Sequence, residues 1–183
     1  MNINSRNICI VYVFLYFSLL VGFYFNEDFA LGYMSDYYGG RQLVSLFEKD
    51  FVKTLLNFDK FTTSHSPIYY IFVLFLEKIS FNETVLRLIN LHTSLLIPIF
   101  FYLCLKIKYK FQKEDLRTLI PCIIFFSPYF RSSSIWIGSE NISLLFLIIS
   151  FYFFLKYESN KEKNFSNIFL NVLFLACAAY FRP

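Results

Sequence analysis

Acids and bases standing at the ends of apolar runs are the residues of this sequence whose types and spacing fit chemistry. Glu27 and Asp28 follow the first apolar run directly, and Asp36 comes eight residues later in GYMSDYYGG. Carboxylates so placed could form an acidic site facing outward. A structural role is as open: acids commonly end a membrane span on its non-cytoplasmic side, and a turn aspartate often only bonds the backbone two residues on.

His65 lies in TTSHSPIYY, just ahead of a helix that Pro67 would open with Ser64 or Ser66 as its cap. A helix N-terminus offers unpaired N–H groups and a positive dipole end to a phosphate, and His65 could add a donor. The bland version is a capped surface helix with a bystander histidine. Arg87, in VLRLINLH, and Arg131, in SPYFRSSSIWIGSEN, are cations inside or at the edge of apolar runs, each a snorkelling side chain or a phosphate ligand. His92 reads as a packed polar residue. Glu140 begins the run after Arg131, where it also complements the positive end of its own helix.

The elements that must position these groups follow from composition. Of 183 residues, 57% are hydrophobic, 22% aromatic and 16% charged, and the mean hydropathy is +0.51. Those proportions exclude a disordered or collagen-like chain and argue against a soluble single domain. The four cysteines sit inside apolar runs without metal-ligand spacing and read as small hydrophobes. The net charge of +4 comes from basic residues clustered at the ends of apolar runs, a pattern of membrane orientation and not of nucleic-acid binding.

A spanning helix needs roughly 20 mostly apolar residues. Ile8 to Phe25, Leu88 to Leu105, Asn141 to Leu155 with its flanks, and Asn164 to Phe181 approach that length. Thr118 to Gly138 does so if Arg131 snorkels from its far end. Pro67 to Leu76 is shorter, and its placement decides the topology. If it rests at the outer interface, Lys106, Lys108, Lys110, Lys113 and Arg117 fall inside together with Lys156, Lys161 and Lys163, as the positive-inside rule requires. The expectation is an all-α integral membrane protein with about five transmembrane helices and a cytoplasmic N-terminus. The first run is then a retained anchor, since no A-x-A cleavage site follows it.

Residues 26–86 form the outer loop of this scheme. Within it GRQLVSLFEKDFVKTLLNF spaces Leu43, Leu46, Phe47, Phe51, Leu55 and Phe58 as one face of an amphipathic helix, with Gly39 and Gly40 as a break before it. In this arrangement Glu27, Asp28, Asp36, His65, Arg87, Arg131 and Glu140 all lie on one side of the bilayer.

The order of these features resembles the N-terminal part of the C-type glycosyltransferase fold, the group that holds protein O-mannosyltransferases and aminoarabinose transferases. Members of that group show a first span, an outer loop with an Asp-Glu pair and an H-P-P-L or K-P-P-L segment on an interfacial helix. An R-L opening the next span and a later acidic residue complete the pattern. The counterparts here are Glu27-Asp28 or Asp36, HSPIYY from His65, Arg87-Leu88, and Glu140 after SPYFRSSSIW. The acidic pair is reversed and Ser66 stands in place of the first proline, so the base is not uniquely assigned.

The resemblance implies transfer of a sugar from a polyprenyl phosphate to a lipid, glycan or protein acceptor on the periplasmic, extracellular or lumenal face. Asp28, Asp36 or Glu27 would be the base, and His65, Arg87, Arg131 and Glu140 would bind substrate. Relatives of this kind run several hundred residues, so residues 1–183 would be the N-terminal transmembrane module of a longer, inverting enzyme. No phosphate-binding glycine loop, nucleophile elbow or zinc motif is present; a divalent cation is the one cofactor left open, with no residue assigned to it. The rival reading is a non-catalytic membrane protein, a transporter fragment or assembly subunit whose acids and arginines pair with one another. A third, an acyltransferase or glycan polymerase, would ordinarily want a histidine-acid pair that His65 lacks nearby in sequence.

Overall fold

A computed structural model of the protein describes residues 5–29, 33–63, 65–80, 82–109, 118–160 and 164–181, with side chains placed from residue 10 in the first stretch and from residue 37 in the second. Every regular element among these residues is helical. In chain order they are α1 (Ser5–Tyr24), α2 (Tyr33–Lys49), α3 (Phe51–Leu56), a 3-10 turn (Phe58–Lys60), α4 (Pro67–Ile79), α5 (Glu83–Ser94) and α6 (Leu96–Lys108). A 3-10 segment (Ile120–Phe126), α7 (Pro128–Ile135), α8 (Ser139–Ser159) and α9 (Phe165–Phe181) complete the set.

Local chemistry sets several of these boundaries. Pro67 opens α4 at its first turn, where the missing N–H costs nothing. Asn82 caps α5 by accepting from Thr84 N at 2.9 Å, and Ser127 caps α7 by accepting from Phe130 N, with Pro128 in the first turn.

Two apolar cores result. One joins Leu15 and Leu19 of α1 to Leu91, Ile97, Phe125, Phe130, Trp136, Leu145 and Ile149. The other packs α2 on α4 through Tyr37, Val44, Phe47, Tyr69, Tyr70 and Val73, and takes in Ile137. Trp136 and Ile137 are consecutive yet belong to different cores. Trp136 has extended backbone (φ −102°, ψ 142°), in which successive side chains point to opposite faces. The short connection from α7 to α8 is thus a strap clamped between the bundle and the α2/α4 layer.

Three expectations are corrected. Gly39 and Gly40 do not break the chain: α2 runs through them, and Asp36 lies in its first turns instead of in a loop turn. Gly40 serves close packing, since a Cβ there would meet the Tyr70 ring at 3.0 Å. The amphipathic helix is not continuous either; it ends at Lys49 and restarts after Asp50, whose side chain accepts from Lys53 N at 3.0 Å. Thr118 to Gly138 is not one helix. Pro121 and Pro128 remove amide donors and clash with the preceding turn, leaving a 3-10 segment, α7 and the extended strap.

Among the described residues two continuous stretches are long and apolar enough to cross a bilayer, the 26 residues Glu83–Lys108 and the 21 residues Ser139–Ser159. Ile10–Tyr24 and Phe165–Phe181 are apolar but shorter. Only 33% and 17% of the two long apolar windows are buried, whereas the core helix of a soluble protein would be mostly covered. Outward faces carry Phe14 and Phe17 on α1, Phe151 on α8 and Phe169 and Val172 on α9, all exposed.

Contacts separate two ends of the bundle. At one, Lys108 of α6 pairs with Glu158 of α8 at 3.8 Å, and Tyr12 OH donates to Thr118 O at 2.9 Å. At the other lie the C-terminal end of α1, the starts of α4, α5 and α8 and the end of α9, where Ser66 Oγ donates to Tyr180 O. Lys110, Lys113, Arg117, Lys161 and Lys163 lie outside the described residues.

Candidate functional site

The strap and its flanks, residues 131–141, collect most of the groups singled out in the sequence. Arg131 Nε and Nη2 donate to the two carboxylate oxygens of Glu27 at 2.5 and 2.6 Å, a bidentate pair. Nη1 and Nη2 also donate to Ser18 Oγ and Ser18 O. The guanidinium and carboxylate are 17% and 7% exposed. They approach because Gly22 has no side chain: a Cβ there would collide with Glu27 Oε2 and lie 3.0 Å from Arg131 Nη2. Asn26, at a left-handed φ of 54°, turns the chain after α1, and Glu27 N donates back to Gly22 O at 2.8 Å. Glu27 and Arg131 are therefore engaged with each other.

Asp28, the next residue, is left differently. Its Oδ1 is buried without a hydrogen-bond partner among the described residues. Arg87 is in a matching state. It is 7% exposed, its Nε donates to Ile135 O at 3.1 Å, and its Nη2 is buried without a partner among the described residues. The guanidinium stacks 3.7 Å over the Trp136 ring, with the Phe23 ring 4.9 Å away. Trp136 Nε1 donates to Glu27 O at 3.2 Å. The indole thus has Arg87 on its face and the Glu27-Asp28 turn at its edge. A buried cation with an unmet donor and a half-buried acid with one buried, unmet oxygen are groups suited to an anion and a hydroxyl.

His65 and Glu140 each lie near the start of α8. His65 Nδ1 is 3.5 Å from Ser139 Oγ, its ring centroid is 4.7 Å from that of Tyr69, and its N–H donates to Thr63 Oγ1. Ser133 Oγ donates to Glu140 Oε2 at 3.4 Å. Of the sequence-derived set, Glu27, Asp28, Arg87, Arg131, His65 and Glu140 border one strap. Asp36 is on α2, and its side chain lies outside the described residues. No three His, Cys, Asp or Glu side chains among the described residues converge to hold a metal ion.

Several structuring residues were missed by the sequence reading. Asn90 Nδ2 donates to Ser133 O, Ser134 O and Trp136 O at 2.8, 2.9 and 3.2 Å. Asn141 Nδ2 donates to Phe130 O, Ser134 Oγ and Ser94 Oγ at 2.9, 2.7 and 3.2 Å, and Tyr69 OH donates to Ile137 O at 2.7 Å. The bonds to Trp136 O and Ile137 O satisfy carbonyls of the strap, and those to Phe130, Ser133 and Ser134 tie it to α7. The available signal was an amide inside an apolar run, in LINLH and SENIS.

On the α2/α4 layer, Arg41 stacks on Tyr37 and lies 3.7 Å from Glu77. Burial raises the Glu77 carboxyl above its usual range, outweighing the pull of Arg41. Tyr38 OH donates to Glu83 Oε1 at 2.7 Å, and that bond raises its phenol. Among known proteins, no family model, curated sequence or solved structure matches the chain.

Proposed function

We propose that this chain is the N-terminal membrane module of a glycosyltransferase that moves a sugar from a polyprenyl phosphate to an acceptor on the non-cytoplasmic face. The observation that carries the reading is that Arg87, with an unmet buried Nη2, stacks on Trp136, whose Nε1–H holds the carbonyl of Glu27, the residue before Asp28 with its unmet buried Oδ1. Arg87 would hold the phosphate of the donor and stabilise it as it leaves. Asp28 would accept the proton of the acceptor hydroxyl as that oxygen attacks the anomeric carbon with inversion. Glu27, with both oxygens on Arg131, is poorly placed for proton transfer, so the base narrows to Asp28 or Asp36.

Five crossings remain the proposed membrane arrangement. It is supported by the separation of the Lys108–Glu158 end from the Glu27–Arg131 end and by the outward aromatic faces. The broken segment from Thr118 would make the third crossing; Pro121, Cys122 and Phe125 are buried, while Ile123 and Phe126 turn outward. At about 20 Å for 13 residues α4 is short of the roughly 30 Å hydrocarbon core. It would rest at the outer interface. An apolar cavity of about 300 Å³ lined by Tyr12, Tyr16, Leu95, Pro98 and Phe125 offers room for part of a prenyl chain.

The test is transfer from a polyprenyl-phosphate sugar by the complete protein in vesicles. Asp28→Asn should lower kcat by about 10²- to 10⁴-fold, and Arg87→Ala should chiefly raise KM for the donor. Wild-type rates in Asp28→Asn, Asp36→Asn and the double variant would remove the mechanism. A non-catalytic membrane subunit is the second reading, favoured by the saturated Glu27–Arg131 pair, and it predicts no transfer by any variant.

A further inference from the structure

Trp136 touches both halves of the candidate site through different parts of one ring. Its face carries the Arg87 guanidinium at 3.7 Å, and its Nε1–H holds Glu27 O at 3.2 Å. The backbone that carries the ring is held at three successive carbonyls. Asn90 bonds Trp136 O, Arg87 Nε bonds Ile135 O, and Tyr69 OH bonds Ile137 O. The turn on which Nε1–H acts is narrow: Asn26 sits in the left-handed region, Glu27 is pinned by Arg131, and Asp28 is the first residue beyond the pin.

We infer that Trp136 is a positioning residue that couples an anion held on Arg87 to the placement of the Glu27-Asp28 turn. An anion taking the open Nη2 draws the guanidinium across the indole face, and the indole transmits that shift through Nε1–H to Glu27 O. The coupling rests on the transferase reading only for its catalytic consequence; the anion is argued from the unmet Arg87 Nη2 and its mechanical effect from the Arg87–Trp136–Glu27 contacts.

Trp136 is the single tryptophan of the chain, so its emission reports on this ring. The experiment titrates the full chain in nanodiscs with a polyprenyl phosphate, the matching uncharged polyprenol, and inorganic phosphate, in wild type and in Arg87→Ala. A saturable emission change with polyprenyl phosphate that Arg87→Ala abolishes is expected. The same change with inorganic phosphate would support the coupling and assign Arg87 Nη2 to a free anion. No response to either phosphate, or an equal response to polyprenol, would overturn it.

Hydrogen exchange at residues 25–29 supplies the second readout. Bound phosphate should slow exchange there in wild type and not in Trp136→Phe, which keeps a stacking ring and loses the N–H; equal slowing in both would overturn the coupling. In the transfer assay Trp136→Phe should lower kcat by about 10²-fold, the effect of a misplaced group, with KM for the donor little changed. Absence of transfer in wild type defeats the transferase reading, while emission and exchange still decide the coupling.

Discussion

Glu27 and Asp28 are adjacent acids with opposite surroundings, and their variants should behave differently. Glu27→Gln takes away the charge that Arg131 needs in a site where the two groups are 7% and 17% exposed. Breaking a buried pair from one side typically costs about 3–5 kcal/mol, so the variant should melt well below wild type in a thermal scan in detergent. Asp28→Asn removes no hydrogen bond at Oδ1 and should leave the melting temperature nearly unchanged. Gly22→Ala should resemble Glu27→Gln, because its Cβ displaces the same carboxylate. Overpacking of this kind costs about 1–3 kcal/mol, and a wild-type melting temperature would show that the pair can shift at no expense.

Glu77 gives a pH-dependent case. Burial raises its carboxyl in the folded protein above the ordinary 4.5. A group with a raised folded value contributes stability that is present below its unfolded value and lost as pH climbs through the folded one. Glu77→Gln avoids that loss while keeping an acceptor for Arg41. The variant should match wild type in melting temperature near pH 4 and exceed it at pH 7, and a gain confined to acid pH would contradict the sign.

At the scale of elements, the strap between α7 and α8 does the positioning. Asn90 holds its Trp136 carbonyl together with the Ser133 and Ser134 carbonyls at the end of α7. Asn90→Leu strips that donor from buried acceptors, each worth about 1–3 kcal/mol when left unmet. It should accelerate amide exchange across residues 133–138 while the far end of α8 stays protected. Uniform exchange along α8 would mean that Asn90 supports the bundle at large and not the strap.

The strap also marks where reading the sequence succeeded and where it failed. Pro67 at the head of α4 and the apolar lengths of α8 and α9 were legible because their causes are local. Thr118 to Gly138 was misjudged because apolar content says nothing of the amide donors that Pro121 and Pro128 lack. Gly39 and Gly40 suggested a break on propensity, and packing against the Tyr70 ring overrides it at Gly40. Arg87 and Arg131 were recognised as unusual, but their different fates turn on Trp136, Ile135 and Glu27, partners 48 to 104 positions away. Asn90 and Asn141 bond to residues of the strap and its flanks that no periodicity reveals.

For the whole molecule, the two ends of the bundle differ in chemistry. Lys108 and Glu158 occupy one end; Glu27, Asp28, Arg87, His65 and Glu140 gather toward the other. The catalytic reading requires that these ends face opposite sides of a membrane, with α4 resting on the surface. Sidedness reporters placed after Lys60 and after Lys110 in the full-length protein test this directly. A non-cytoplasmic signal at Lys60 with a cytoplasmic signal at Lys110 is the predicted result. Signals from the same side at both positions would mean that α4 crosses the bilayer, and would contradict the proposed arrangement.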